Sequence, residues 1–368
     1  MLRVAIIGCG KIADAHAAHI QHIEGCEIVG VCDREPLMAQ QLYERFPIKA
    51  HFSDVNELLT KAAPDVVHIT TPPQSHYALA KLCLEYGCHV YVEKPFTIDL
   101  GEAERLIALA QQRSLKLTVG HNDQFSHVAM RMRALVRDGY LGGTPLHMES
   151  YYGYDLGDVS YARALLGDKQ HWVRQLPGKL LQNVISHGIA RIAEFWVSDH
   201  PQVVAIGFPS SLLESIGEKE IFDELRVMIT DREQTAYFTF SSRMRPLVHQ
   251  LRLFGPRNGL LLDQDHELLI KLEGRALKSY TNKFVPPLRF AKQHFKNVVG
   301  NLSLFAKRQF HMDAGLRHLI ASFYNSIVCD GNVPISYEEI LITARIMDEI
   351  FAQLKLNNVD DCQLSTSH

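Results

Sequence analysis

Three stretches of this chain carry residue types at spacings that can do chemistry. In residues 90–96, VYVEKPF, an apolar β-branched run ends abruptly in Glu93, Lys94 and Pro95. Such a run reads as a buried parallel strand, and a charged pair at its end is costly unless water, a partner or a ligand meets it there. Lys94 is therefore a candidate catalytic group at a cleft, the plain alternative being a strand that leaves for solvent. In Gly8-Cys9-Gly10-Lys11-Ile12-Ala13 the pattern G-x-G-x-x-A follows an apolar run and opens a helix-like segment. Gly8 permits the tight turn, Gly10 lets a pyrophosphate approach the backbone, and the helix amino terminus at Lys11 and Ile12 supplies amide donors and a favourable dipole. In the third stretch Asn183 and His187 are four apart, so on a helix they share a face and can reach one substrate together.

Asp33 ends the next strand-like run, about 20 residues past the glycines, where a carboxylate can hold the ribose 2′-hydroxyl of a dinucleotide. It repels the extra phosphate of NADP, so NAD is the expected cofactor. The neighbouring Arg34 can pair with a 2′-phosphate, which keeps NADP open.

Placing these residues demands elements in a definite order. Short apolar runs at 2–7, 27–32, 65–70, 90–92 and 117–119 alternate with helical periodicity at 36–46, 56–62, 76–85 and 102–113. That alternation predicts an α/β doubly wound parallel sheet whose ligand crevice lies beyond the carboxyl ends of its strands. Gly8, Asp33, residues 70–76, Lys94 and residues 120–125 all fall at such ends. From Leu146 the period changes to two, with turn residues between runs at 225–229 and 235–240 and again between 251–254 and 260–262, which predicts antiparallel hairpins. The organisation expected is a first domain over 1–122 and a second, α+β domain over 123–368.

Composition bounds the rest. With 368 residues, 46% hydrophobic and 21% charged, the chain can form two ordinary globular cores. A net charge of −3 argues against general nucleic-acid binding. No apolar run approaches the roughly 20 residues of a bilayer span, and the chain opens on a strand-like segment and not a signal peptide, so a cytoplasmic location is expected. Seven cysteines, mostly in apolar segments, fit reduced thiols. Cys83, Cys88 and His89 lack a second ligand pair at zinc-site spacing, so no metal is expected.

With GCGKIA at Gly8, TPPQSH from Thr71 to His76 and EKPF from Glu93, in that order, the chain resembles the Gfo/Idh/MocA family of glucose-fructose oxidoreductases and inositol dehydrogenases. The resemblance is tight over about the first 125 residues and loose thereafter. It implies a Rossmann domain followed by an open, largely antiparallel sheet. It also implies that Lys94 touches nicotinamide and substrate, that Glu93 and Pro95 flank it with a cis bond before the proline, and that Thr71, Pro72 and His76 line the cofactor. His187 matches the family's proton acceptor; Asn183 departs from the usual aspartate and Ala190 from a second acid. His121, Asn122 and Gln124 stand where many relatives carry arginines and would form a neutral wall suited to hydroxyls.

The activity expected is NAD-dependent hydride transfer at a secondary carbon of a sugar, cyclitol or sugar derivative, in a homo-oligomer formed through the second domain's sheet. Reduction of a non-sugar carbonyl is a rival, and so is a non-catalytic NAD-binding sensor, which the loss of the aspartate at 183 favours. One segment stands apart. Residues 275–311 hold eight Lys or Arg and no Asp or Glu, interleaved with aromatics, which suits an anionic partner, a subunit contact or a solvated face.

Overall fold

The computed structural model describes every residue except 158, 276, 279, 311, 312 and 365–368. The chain divides into two compact units, Met1–Asn122 with Gly315–Arg345, and Asp123–Ala314 with Ile346–His368.

Among the described residues the first unit holds six strands, β1 (Leu2–Ile7), β2 (Cys26–Cys32), β3 (His51–Phe52), β4 (Val66–Ile69), β5 (His89–Val92) and β6 (Leu117–Val119). Every pairing is parallel, in the order β3-β2-β1-β4-β5-β6. The near-continuous burial of β4 and β5 is what a sheet covered by helices on both faces requires. The strand order reverses between β1 and β4, which opens a crevice at their carboxyl ends. Asp54 and Asp99 cap the helices Val55–Ala62 and Leu100–Gln112, each accepting from a first-turn amide at 2.8 Å. The helix Lys11–Ile20 differs: its N-cap is Gly10 and no side chain caps it, and of its first turn the Ala13 amide bonds the Gly10 carbonyl at 3.0 Å.

The boundary expected after residue 122 leaves 315–345 in the second domain, but these residues pack with the first unit. Phe323 and Tyr324 lie edge-on against Tyr91 of β5 and His68 of β4. A contact across more than 200 positions leaves no local periodicity to read.

The second unit's sheet comprises β7 (His147–Gly153), β8 (Gln202–Phe208), β9 (Glu224–Thr230), β10 (Thr235–Ser241), β11 (His249–Phe254), β12 (Asn258–Asp263) and β13 (Leu268–Glu273), ordered β13-β12-β11-β7-β10-β9-β8. All its pairings are antiparallel except β7 with β10. The sheet is thus mixed but largely antiparallel, and both predicted hairpins are present. The helices Lys179–Val184 and Ser186–Ala193 meet at Ile185, and the second packs on the sheet. A Cβ at Gly188 would lie 2.3 Å from Phe238, and Ser150 of β7 donates to the Gly188 carbonyl at 2.9 Å. Only a residue without a side chain lets the helix approach this closely. On the other pleat face Val204, Ile206, Met228 and Tyr237 stay exposed, while Ala205, Val227 and Phe238 are buried.

Candidate functional site

In the first unit the strand-end loops are tied to one another. Gly8 has φ +95°, and a Cβ there would sit 2.6 Å from the Thr71 Cγ2 and 2.8 Å from its amide nitrogen, so both backbone freedom and lack of bulk are needed. Gly10 is the opposite case: a Cβ would meet nothing within 4 Å. The protein's own packing does not demand that glycine, and the space in front of it suits a pyrophosphate. Asp33, at the end of β2, accepts from the Cys9 amide at 2.7 Å and from the Glu35 amide at 2.9 Å, which holds its carboxylate beside the glycine turn. Lys11, Ile12 and Arg34 are exposed around it. Burial, with Asp33 nearby, pushes the Cys9 thiol up to about 12, so that cysteine offers no thiolate chemistry.

The TPPQSH loop and the EKPF loop meet through His76. Its side chain is fully buried, with Nδ1 2.9 Å from the Pro95 carbonyl and Nε2 2.8 Å from the Thr71 carbonyl. The ring thus joins the two loops, lying between a carbonyl of each. Thr71 and Pro72 remain partly or fully exposed at the loop surface. Pro95 follows a cis bond, and Lys94 is half-buried.

Glu93 is held from behind. Its Oε1 lies 2.9 Å from His16 Nε2, His16 Nδ1 lies 2.8 Å from His68 Nδ1, and His68 Nε2 lies 2.7 Å from the Tyr324 hydroxyl. Burial works against the Glu93 carboxylate, but His16 and Lys94 outweigh it and hold its carboxyl below the usual range. Burial keeps His68 neutral by holding it well below the ordinary histidine range. The four side chains thus form one continuous hydrogen-bonded chain from Tyr324 through His68 and His16 to Glu93. Neither periodicity nor motif spacing points to His16, His68 or Tyr324 as one chain.

In the second unit His187 is buried on the helix Ser186–Ala193, stacked on Tyr152 with ring centroids 6.0 Å apart. Its Nδ1 lies 3.8 Å from Asp123 Oδ2, an oxygen that also accepts from Arg191 Nη2 at 3.2 Å, while Gln264 donates to Oδ1 at 3.0 Å. Burial raises the carboxyl's pKa, but the opposite charges of His187 and Arg191 and the Gln264 bond overcome it and hold the group far below the usual range. Asp123 was passed over in the sequence although it stands between Asn122 and Gln124. The available signal was that it is the one carboxylate in GHNDQF. Asn183, half-buried, lies on the preceding helix Lys179–Val184, across the turn at Ile185 from His187, so the two do not share one helix.

Gln124 is turned into the protein, its amide nitrogen 3.1 Å from the Ala190 carbonyl and 3.3 Å from Glu194. It anchors the Asp123 segment to the helix. His121 is buried and Asn122 partly so. Among the described residues no group of three or more His, Cys, Asp or Glu is gathered as if for a metal, and no helix is long and apolar enough to cross a membrane.

Residues 2–121 match the model of an oxidoreductase family with an NAD-binding Rossmann fold. The chain is 34% identical over 142 residues to the D-glucoside 3-dehydrogenase of Escherichia coli and 33% identical over 149 residues to the UDP-N-acetylglucosamine 3-dehydrogenase of Acidithiobacillus ferrooxidans. These matches cover 38% and 40% of this chain and only 40% and 44% of the two relatives. The fold likeness is wider. The crystallised Acidithiobacillus enzyme superposes with a TM-score of 0.69 over 95% of this chain and 98% of its own, at 21% identity. The WlbA dehydrogenase of Bordetella pertussis, solved with NADH and UDP-GlcNAcA, gives 0.75 over 97% and 96%, at 15% identity.

Proposed function

We propose that the protein, whose residues 2–121 match the Gfo/Idh/MocA oxidoreductase family with its NAD-binding Rossmann fold, is an NAD-dependent oxidoreductase acting at a secondary carbon of a sugar or sugar derivative, nucleotide sugars included. Gly8, Gly10 and the amides of Lys11 and Ile12 would hold the pyrophosphate, and Asp33 the adenosine ribose. The bound nicotinamide supplies the hydride acceptor or donor. Lys94 hydrogen-bonds the reacting oxygen and stabilises the negative charge that develops on it. His187 takes or returns the hydroxyl proton, and Asp123 stabilises the imidazolium so formed. Asn183 and His121, with Asn122, orient the remaining hydroxyls.

The observation that supports this reading best is the carboxylate of Asp123 beside His187. The loss of an aspartate at 183 was the reason to consider a sensor without turnover, and Asp123 supplies the missing charge from another element. The exposed apolar row of Val204, Ile206, Met228 and Tyr237 further supports a homo-oligomer formed through the open sheet face. The test is to incubate the protein with NAD and a panel of sugars, nucleotide sugars and inositols while following NADH absorbance. NAD binding without turnover on any of them would favour the sensor instead. A tenfold preference for NADP, about 1.4 kcal/mol, would refute the role given to Asp33.

A further inference from the structure

The helix Thr281–Ala306 is put together the wrong way round for a helix on a monomeric protein. An ordinary surface helix buries its apolar face. Here Asn297 is the buried residue among those described in the helix, and the inner face is polar. Gln293 accepts from the Lys271 amide at 2.7 Å and donates to its carbonyl at 3.1 Å. Asn297, one turn on, makes the same pair of bonds with Leu269 at 3.4 and 3.1 Å. The two amides thus act as a substitute strand along the edge of β13.

The apolar face points the other way. Phe284, Leu288, Phe295, Val298, Leu302 and Phe305 recur at intervals of four, seven, three, four and three, so they form one stripe roughly 30 Å long. Each is 50–72% exposed. Beside the stripe, Lys292, Lys296 and Arg289 join Arg131 and Lys271 around a groove, with Glu273 the one acidic side chain lining it.

We propose that this helix is an interfacial anchor that lays its apolar stripe into the surface of an anionic lipid bilayer, with the flanking groove taking a phosphate headgroup. Charge decides the occupant. Residues 275–311 contain eight cationic and no acidic residues in a chain whose net charge is −3, so the positive charge is concentrated where the apolar stripe is. Against a second copy of itself the helix would bring two segments without carboxylates together, with nothing to neutralise them. Against anionic headgroups both the stripe and its cationic flank are satisfied.

The full-length protein would be sedimented with phosphatidylcholine vesicles with and without phosphatidylglycerol, at low and high salt. Binding is expected only with phosphatidylglycerol and to weaken with salt. The exposed-stripe variant Phe295→Asp/Leu302→Asp and the charge variant Lys292→Glu/Lys296→Glu should each lower partitioning at least about tenfold, with melting temperature unchanged. Equal binding to neutral vesicles, no binding by the wild type, or stripe variants that sediment like the wild type would overturn the proposal. So would a wild-type dimer, seen by light scattering, that Phe295→Asp dissociates while vesicles capture neither protein; that outcome would assign the stripe to a second copy. The assay reads partitioning and not turnover, so its failure leaves the oxidoreductase reading standing.

Discussion

Asp123→Asn removes one charge from the His187 cluster at nearly constant shape. At 3.8 Å, opposite unit charges attract by about 4 kcal/mol at an effective dielectric of ~20. Arg191 shares the same carboxylate oxygen at 3.2 Å and repels an imidazolium, so part of that attraction is already offset. A net loss of about 2–4 kcal/mol of stabilisation for protonated His187 corresponds to a roughly 30- to 1,000-fold fall in kcat. Removing the carboxylate also leaves Arg191 buried without its counter-charge, which costs about 3–5 kcal/mol of stability. Stability and catalysis are separated by a second variant, Asp123→Asn/Arg191→Gln, which removes both charges. Thermal melts should show the double variant regaining most of the lost stability, while steady-state kinetics on the substrate found by the panel show kcat still depressed. The pH dependence adds a sign. Because the native carboxyl lies below its ordinary 3.8, its contribution is present above that pH and is lost as pH falls below it. The Asn variant should lack this part of the acid unfolding. A folded Asp123→Asn protein with kcat within about threefold of wild type would refute the role given to the pair.

Three further outcomes are expected. Lys94→Ala should lower turnover by a factor of ~10² to 10⁴ or more while fluorescence titration finds NAD affinity nearly unchanged; an active variant would remove Lys94 from the chemistry. Gly8→Ala should lower the melting temperature, since its Cβ meets Thr71 at 2.6 Å at a positive φ and such strain costs about 1–3 kcal/mol. Gly10→Ala, with nothing within 4 Å, should leave the melt alone and weaken NAD about tenfold or more; the reverse pattern would invert the two assignments. Burial holds His68 and His76 below the ordinary 6.5, so the unfolded chain takes up protons that the native protein refuses. Urea melts should show stability falling as pH drops below 6.5 and a shallower slope for His68→Asn. An unchanged slope would mean that His68 does not refuse the proton.

Much of the fold was legible because its causes are local. Short β-branched runs separated by helix-length periods admit few arrangements other than a doubly wound parallel sheet, and period two after residue 146 announced the antiparallel hairpins. The glycine turn was equally legible, since a positive φ at Gly8 and a carboxylate at Asp33 are demands of a few consecutive residues. Roles that depend on a partner were not. The carbonyls that flank the His76 ring are 5 and 19 positions away. The Gln124 amide nitrogen reaches Ala190 and Glu194, 66 and 70 positions away.

By itself, then, the sequence determined the Rossmann half, its crevice and the residue types at its strand ends, and it offered Lys94 and His187 as candidates. Only the tertiary structure decided what stands behind them. Val90 to Val92 lead into Glu93, yet the groups that hold that carboxylate come from the first helix and from β4, with Tyr324 brought back 256 positions after His68. His187 lost the acid expected four residues earlier and stands beside one from the 123 segment. The physical reason is common to both: backbone dihedrals and hydrophobic period are written within a few residues, whereas the partner of a buried charge is whichever group the packed chain brings within a few ångströms, and sequence separation places no limit on that distance.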